Sequence, residues 1–246
     1  MKADPGDQQL LLELQELDTR LAQLAHRRAT LPELAELDQL AQELSALEDQ
    51  RARAQVQVDD LDRDIARLER DVEQVRARKE RNAERLASGR GPARELEALQ
   101  HEIMSLDRRQ SELEDAELEL MEQRELAQAA VDEITSTIAA KSQRRAEVEE
   151  RRDTALTEIA AEESESTAAR SLLVERLPSD LVTLYERIRA DTGGQGAALL
   201  RAGRCGGCRL ELSGSERVRI KAAPPDEVVR CDECRRILVR TAESGL

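Results

Sequence analysis

The sequence predicts a mainly α protein: a long antiparallel coiled-coil helical hairpin followed by a small C-terminal zinc ribbon. Three observations lead there. Charged residues make up 37% of the 246 positions, and Tyr185 is the only aromatic. A compact core of this length ordinarily uses several rings, because each buries so much apolar area. Apolar residues recur at three-four spacing on both sides of a single glycine- and proline-rich turn. Two C-x-x-C pairs, Cys205/Cys208 and Cys231/Cys234, stand beyond the repeats.

The first seam runs Leu10, Leu14, Leu17, Leu21, Leu24 and resumes at Leu34, Leu37, Leu40, Leu44, Leu47, Ala54, Val58, Leu61, Ile65, Leu68, Val72, Val75. Pro32 interrupts it. A proline lacks the amide hydrogen and clashes with the preceding turn, so a kink is expected near 30–32. The pattern stops at Ala87-Ser88-Gly89-Arg90-Gly91-Pro92, which predicts the hairpin turn near 88–92. A second seam then returns through Leu96, Leu99, Ile103, Leu106, Leu113, Leu120, Val131, Ile134, Ile138, Val148, Leu156 and Ile159. Arms of about 80 residues would each reach on the order of 120 Å. Residue i should lie opposite roughly residue 180 − i, an estimate from helix rise and equal arms. The second seam weakens over 141–169, at Arg145, Arg152 and Glu162-Glu163, opposite the Pro32 interruption. A splay or hinge is expected at that height.

The expected organisation is a coiled-coil hairpin over 1–177, a connecting helix over 178–192 and a four-cysteine ribbon over 193–246. Pro178 suits the first turn of the connecting helix. Tyr185, within that helix, is read as the anchor on which the small domain docks. Charge divides along the same lines. Residues 193–246 hold ten Lys and Arg against seven Asp and Glu, or +3, leaving −17 of the total −14 on residues 1–192. An acidic arm is a poor non-specific binder of nucleic acid, which needs a positive surface. No stretch approaches the roughly 18 apolar residues that span a bilayer, and no signal-peptide core is present, so a cytoplasmic, non-membrane protein is expected. Abundant Ala and only four lysines suggest a GC-rich bacterial genome.

The cysteines carry the chemistry. Each two-residue spacer lets one tight turn present two sulfurs to the same ion, and two such pairs make the four ligands zinc takes in a tetrahedron. One structural Zn2+ held by Cys205, Cys208, Cys231 and Cys234 is therefore expected. Gly206 and Gly207 are expected to supply left-handed backbone angles in the first turn. Redox chemistry would want one C-x-x-C on a strand-to-helix turn, and a disulfide framework would want an oxidising compartment. Ala197–Leu200, Leu210–Leu212 and Ile237–Val239 are expected strands. Ser213 and Glu216 stand at capping-box spacing before a short helix reaching about Lys221.

With those motifs in place, the chain resembles a family of bacterial zinc-ribbon proteins with a long helical hairpin and a C-terminal four-cysteine ribbon. The residues that carry the resemblance are Leu14-Gln15-Glu16-Leu17-Asp18, Glu95 to Ile103, Leu113-Glu114-Asp115, Leu118 to Glu122, Leu184-Tyr185-Glu186-Arg187-Ile188 and the cysteine pairs. The resemblance implies an adaptor and not an enzyme. Relatives in flagellated and chlamydial bacteria are associated with an alternative sigma factor and, in one lineage, with flagellar messenger RNA. Arg235 and Val239 stand where the family often has glycine and an aromatic.

Two functional readings follow. One is a protein-interaction scaffold in which the acidic hairpin captures a partner, basic or helical. The other is an RNA- or DNA-binding regulator using the ribbon's cations: Arg204, Arg209, Arg217, Arg219, Lys221, Arg230, Arg235, Arg236 and Arg240. The ribbon has no aromatic for base stacking, which single-strand binders commonly use. An enzyme with a small-molecule substrate is not expected. Only His26 and His101 are present, and Gly193-Gly194-Gln195-Gly196 is not followed by the Gly-Lys-Ser/Thr of a phosphate loop.

Overall fold

A computed structural model describes all residues, 1–246. Its helices are α1 (Pro5–Ala29), α2 (Pro32–Ala87), α3 (Ala93–Arg176), α4 (Ser179–Asp191) and α5 (Gly214–Ala222). Its strands are β1 (Ala197–Arg201), β2 (Arg204–Cys205), β3 (Val229–Arg230) and β4 (Ile237–Val239). No helix is long and apolar enough to cross a membrane. The chain divides into two compact units, Met1–Leu34 with Glu150–Leu246, and Ala35–Glu149.

The Ala35–Glu149 unit is a pair of antiparallel helical segments from α2 and α3, joined by the turn after Ala87. Its seam buries Leu40, Leu44, Val58, Val72, Leu113, Val131 and Val148. Ion pairs flank the seam and record its register: Arg144 with Glu36, Lys141 with Glu43, Arg124 with Asp62, Lys79 with Asp107 and Arg76 with Glu114. Paired numbers add to between 180 (Arg144 and Glu36) and 190 (Arg76 and Glu114), close to the register the equal arms predict. At the turn Gly89 and Gly91 take φ of 63° and 140°, angles a side chain would strain.

The other unit is built on α1, the last turns of α3, α4 and the ribbon. Asp4 caps α1 by accepting from the Gly6 amide at 2.8 Å. That helix ends at Thr30, Leu31 follows, and Pro32 opens α2. The expected weak height is not bare: Leu24, Leu31 and Ile159 form a small buried cluster with Ala155 and Leu156 packed against it. The sheet order is β2-β1-β4-β3, with β1 and β4 parallel and both edges antiparallel. Successive strand residues point to opposite faces. Ala197, Ile237 and Val239 accordingly join a core with Leu11, Leu14, Leu173, Leu177, Leu181 and Tyr185. Ala198, Leu200 and Leu238 face the other way, into a small core with Leu212, Ile220, Val229 and two of the cysteines.

Two local expectations change. Leu210–Leu212 is not a strand; only Glu211 bridges, to Arg204, because Arg209 turns the chain with φ of 63°. Ser213 caps α5 by accepting from the Glu216 amide at 3.2 Å, but the Glu216 carboxylate does not return the bond. It accepts instead from the Asp232 amide at 2.8 Å, tying α5 to the second cysteine turn.

Candidate metal centre

The two cysteine turns have the same backbone. The amides of Cys205 and Cys231 donate to the carbonyls five residues on, Leu210 and Arg236, each at 3.0 Å. The amides of Arg209 and Arg235 donate back to the Cys205 and Cys231 carbonyls at 2.8 and 2.9 Å. Both arginines are left-handed, at φ of 63° and 65°. The left-handed residue therefore follows the second cysteine of each pair, the position where a glycine is the least strained choice. Gly206 and Gly207 do not take positive φ, contrary to expectation. Gly206 is needed for another reason: a Cβ there would sit 2.8 Å from the Leu199 carbonyl oxygen.

The four Sγ atoms converge, all within 4.8 Å of one another. Cys205 and Cys234 are 3.7 Å apart, Cys208 and Cys231 3.9 Å. A tetrahedron with zinc–sulfur bonds of 2.3 Å has edges of about 3.8 Å. The thiols suit such an ion chemically. Burial pushes Cys205 up to about 11, against hydrogen bonds from the Cys208 and Gly207 amides, and burial likewise raises Cys231 well above the ordinary thiol range. Burial also opposes ionisation of Cys234, but hydrogen bonds from the Arg236 amide and side chain and from the neighbouring thiols outweigh it and bring Cys234 down to about 7. Four thiolates so close together require a cation at their centre, and the site holds one structural zinc ion.

The nine cations singled out from sequence divide into three groups. Arg240 donates to five carbonyls, those of Ile220, Ala223, Pro224, Pro225 and Glu227, and Arg236 to those of Gln195 and Thr192. Those two staple the fold. Arg204 and Arg217 both reach Glu211, Arg219 pairs with Asp232 at 2.8 Å, and Arg230 donates to the Arg235 carbonyl. Arg209, Lys221 and Arg235 remain exposed without an acidic partner. Six of the nine thus have partners within the chain, and three are exposed without an acidic one.

A second constellation escaped the sequence reading. Asp18, whose side chain is 1% exposed, accepts from the Tyr185 hydroxyl at 2.7 Å, from Arg170 Nε at 2.7 Å, and pairs with Arg189 at 3.3 Å. Gln15 Oε1 accepts from the Gly196 amide at 2.7 Å, while its Nε2 donates to the Gly194 carbonyl at 3.1 Å. Arg170 and Arg189 also share Glu186. Gly196 has no room for a side chain, since a Cβ would meet the Tyr185 ring at 2.7 Å. Burial, then the Asp18 carboxylate, hold the Tyr185 hydroxyl far above its ordinary pKa. Tyr185 is wholly buried, so it anchors the ribbon and offers no face to a base. Residues 1–3 complete the attachment: Lys2 bridges Glu227, Ala3 N–H donates to the Asp226 carbonyl and Val228 N–H to the Met1 carbonyl.

Comparison with known proteins agrees with this architecture. Residues 14–193 match the CT398-like coiled coil hairpin domain, and residues 204–238 match the C4-type zinc ribbon domain. The uncharacterized protein Rv2229c of Mycobacterium tuberculosis H37Rv is 41% identical over 240 residues, covering 98% of each chain. A solved structure from Mycobacterium smegmatis, 38% identical, superposes with a TM-score of 0.85 over 98% of this chain and 100% of its own. CT398 from Chlamydia trachomatis, at 18% identity, shares the fold with a TM-score of 0.64 over 95% of this chain and 97% of its own. From its matched domains and their order, the chain belongs to the CT398-like coiled-coil hairpin family and carries a C4-type zinc ribbon.

Proposed function

We propose that this protein is a non-enzymatic, zinc-braced adaptor that mediates protein–protein interaction, in the setting of transcription or RNA regulation that its family resemblance suggests. The observation that carries the reading is the closed metal centre. Four sulfurs at tetrahedral spacing leave no position for a water or substrate, which a catalytic zinc keeps open. The zinc therefore serves the fold, and the buried Gln15–Asp18–Tyr185 network serves to hold the ribbon against helices of the same unit. What remains for function is surface.

A second reading, a regulator that contacts RNA or DNA through the ribbon, is favoured by Arg209, Lys221 and Arg235, three exposed cations free of acidic partners. Affinity purification of the full chain from its host, with and without RNase, tests both. Protein partners that survive RNase and persist with Arg209→Glu/Lys221→Glu/Arg235→Glu support the adaptor. Partners lost under RNase and with that variant would transfer the assignment to nucleic acid. Recovery of no partner at all would sink the adaptor reading.

A further inference from the structure

The Ala35–Glu149 unit concentrates the chain's negative charge at mid-length. Segments 59–73 and 112–125 hold fourteen Asp and Glu against four Arg, a net −10 of the chain's −14. The two segments lie side by side, joined by Arg124 to Asp62 at 3.1 Å, with Arg76 to Glu114 just beyond. Within that stretch α3 is apolar on two faces. Leu113 is buried in the seam against α2, and Leu106 and Leu120 are half-buried there. At 100° per residue, Leu118 falls on the side of α3 opposite Leu113 and Leu120, with Met121 and Leu126 flanking it at about 60° and 80° to either side. All three are exposed, by 59%, 44% and 75%.

Asp115, Glu122 and Glu125 share that outward face at helical spacing, exposed and with neither an ion pair nor a hydrogen bond. Carboxylates that flank the seam, such as Glu36, Glu43, Asp62 and Glu114, are instead matched by cations across it. Here three large apolar side chains and three free carboxylates share one exposed face, about 140° wide at 100° per residue and about 16 Å long from the helix rise over residues 115–126.

We infer that this outward face of α3 is a docking site for a cationic amphipathic helix of a partner protein, which lays apolar residues on Leu118, Met121 and Leu126 and basic ones against Asp115, Glu122 and Glu125. The charge selects the occupant. A second copy would bring the same −10 against itself, and nucleic acid or an anionic membrane would be repelled. Helical spacing of the anchors selects a helix, set beside α3 as a third strand of the coil. The inference rests on the protein-interaction reading above and gives it a location.

The test uses the full chain and a synthetic 18-residue peptide with leucines on one helical face and lysines and arginines on the other, titrated by calorimetry. One-to-one binding is expected to weaken as salt rises. Leu118→Ser/Met121→Ser/Leu126→Ser, which leaves the charge intact, should weaken it at least tenfold. Asp115→Asn/Glu122→Gln/Glu125→Gln should do likewise, while Glu48→Gln/Asp49→Asn/Glu84→Gln, which removes as many charges elsewhere on the unit, should not. Equal affinity for the serine variant and wild type would overturn the site, because binding would then be charge alone. So would a serine variant that converts a wild-type dimer to a monomer without peptide, since a second copy would be the occupant. Host partners retained by the serine variant also overturn it, yet leave the adaptor reading standing; absence of any host partner for wild type strikes the adaptor reading itself.

Discussion

Carboxylates meet arginines in both units of this molecule, but they do different things in each. In the Ala35–Glu149 unit, Glu36 and Arg144 or Asp62 and Arg124 face each other across the seam with side chains a third to half exposed. Water and salt compete there, so such pairs mark register more than they hold the helices together. In the unit built on the ribbon, Asp18 is sealed beneath Tyr185, Arg170 and Arg189. Removing one of those partners would leave the buried Asp18 carboxylate, 1% exposed, short of a group that offsets its charge. The lesson is that one repetitive region distributes its stability over many weak contacts, whereas the other depends on a few groups that cannot be spared.

Variants can break or sharpen that contrast. The largest effect is expected at the metal. Cys205→Ser, or a strong chelator, should unfold residues 193–246, because structural zinc supplies about 10–16 kcal/mol in small domains of this kind. Far-ultraviolet circular dichroism should keep most of its helical signal while amide exchange in the ribbon rises to the unprotected rate; loss of all helicity would erase the distinction between the regions.

Next comes Asp18→Asn, which should destabilise the ribbon-bearing unit by about 3 kcal/mol, read as a lowered midpoint in denaturant. Tyr185→Phe should cost about 1–2 kcal/mol and also change the pH profile. In the folded protein the hydroxyl's pKa is raised, so its contribution is complete below pH 10 and lost as pH climbs beyond that, when only the unfolded chain ionises. The stability difference between wild type and Tyr185→Phe should therefore shrink above pH 10 by up to about 1.4 kcal/mol per pH unit. A difference independent of pH would show that Tyr185 is not buried against Asp18 in solution.

Arg235→Gly should stabilise the zinc-bound ribbon by about 1 kcal/mol, because it relieves a left-handed backbone at φ of 65°. Thermal melts of the holo protein would detect it, and a drop in melting temperature would mean that the guanidinium holds something worth more than the strain. The smallest effect belongs to Arg144→Ala, which removes an exposed pair and should leave the melting temperature of the coil unmoved within error.

Much of the architecture is legible from residue pattern alone. Leucines at seven-residue repeats announce the seam, Gly89 to Pro92 the reversal, and paired C-x-x-C the zinc, because each is a local signal or a period. The latch is not. Gln15 and Asp18 sit among seam leucines as ordinary polar residues, and the groups they bind lie about 150 to 180 positions away. Periodicity registers where apolar residues fall; it says nothing about which polar side chain finds a partner from a distant element. Nor can composition tell a cation that binds a ligand from one that binds the backbone. Arg240, counted as a surface charge in sequence, spends its guanidinium on five carbonyls. Ser213 shows the intermediate case: its cap was readable, while the diversion of Glu216 to the Asp232 amide depended on a turn sixteen residues on.

The pairing of Lys2 with Asp226 also sets a timetable. At bacterial elongation rates of about 5–20 residues per second, residues 1–4 emerge some 10 to 45 s before the segment that receives them, 224 positions later. The coil can zip outward from its turn as soon as both arms leave the ribosome, since its contacts there are nearest in sequence. Leu11 and Leu14 must wait, uncovered, for Tyr185, Ile237 and Val239 to be made. A chain cut short between the end of α3 and the second cysteine pair would thus display a finished coil with an unfinished ribbon, and an exposed leucine face by which a protease or chaperone could tell it from the complete molecule.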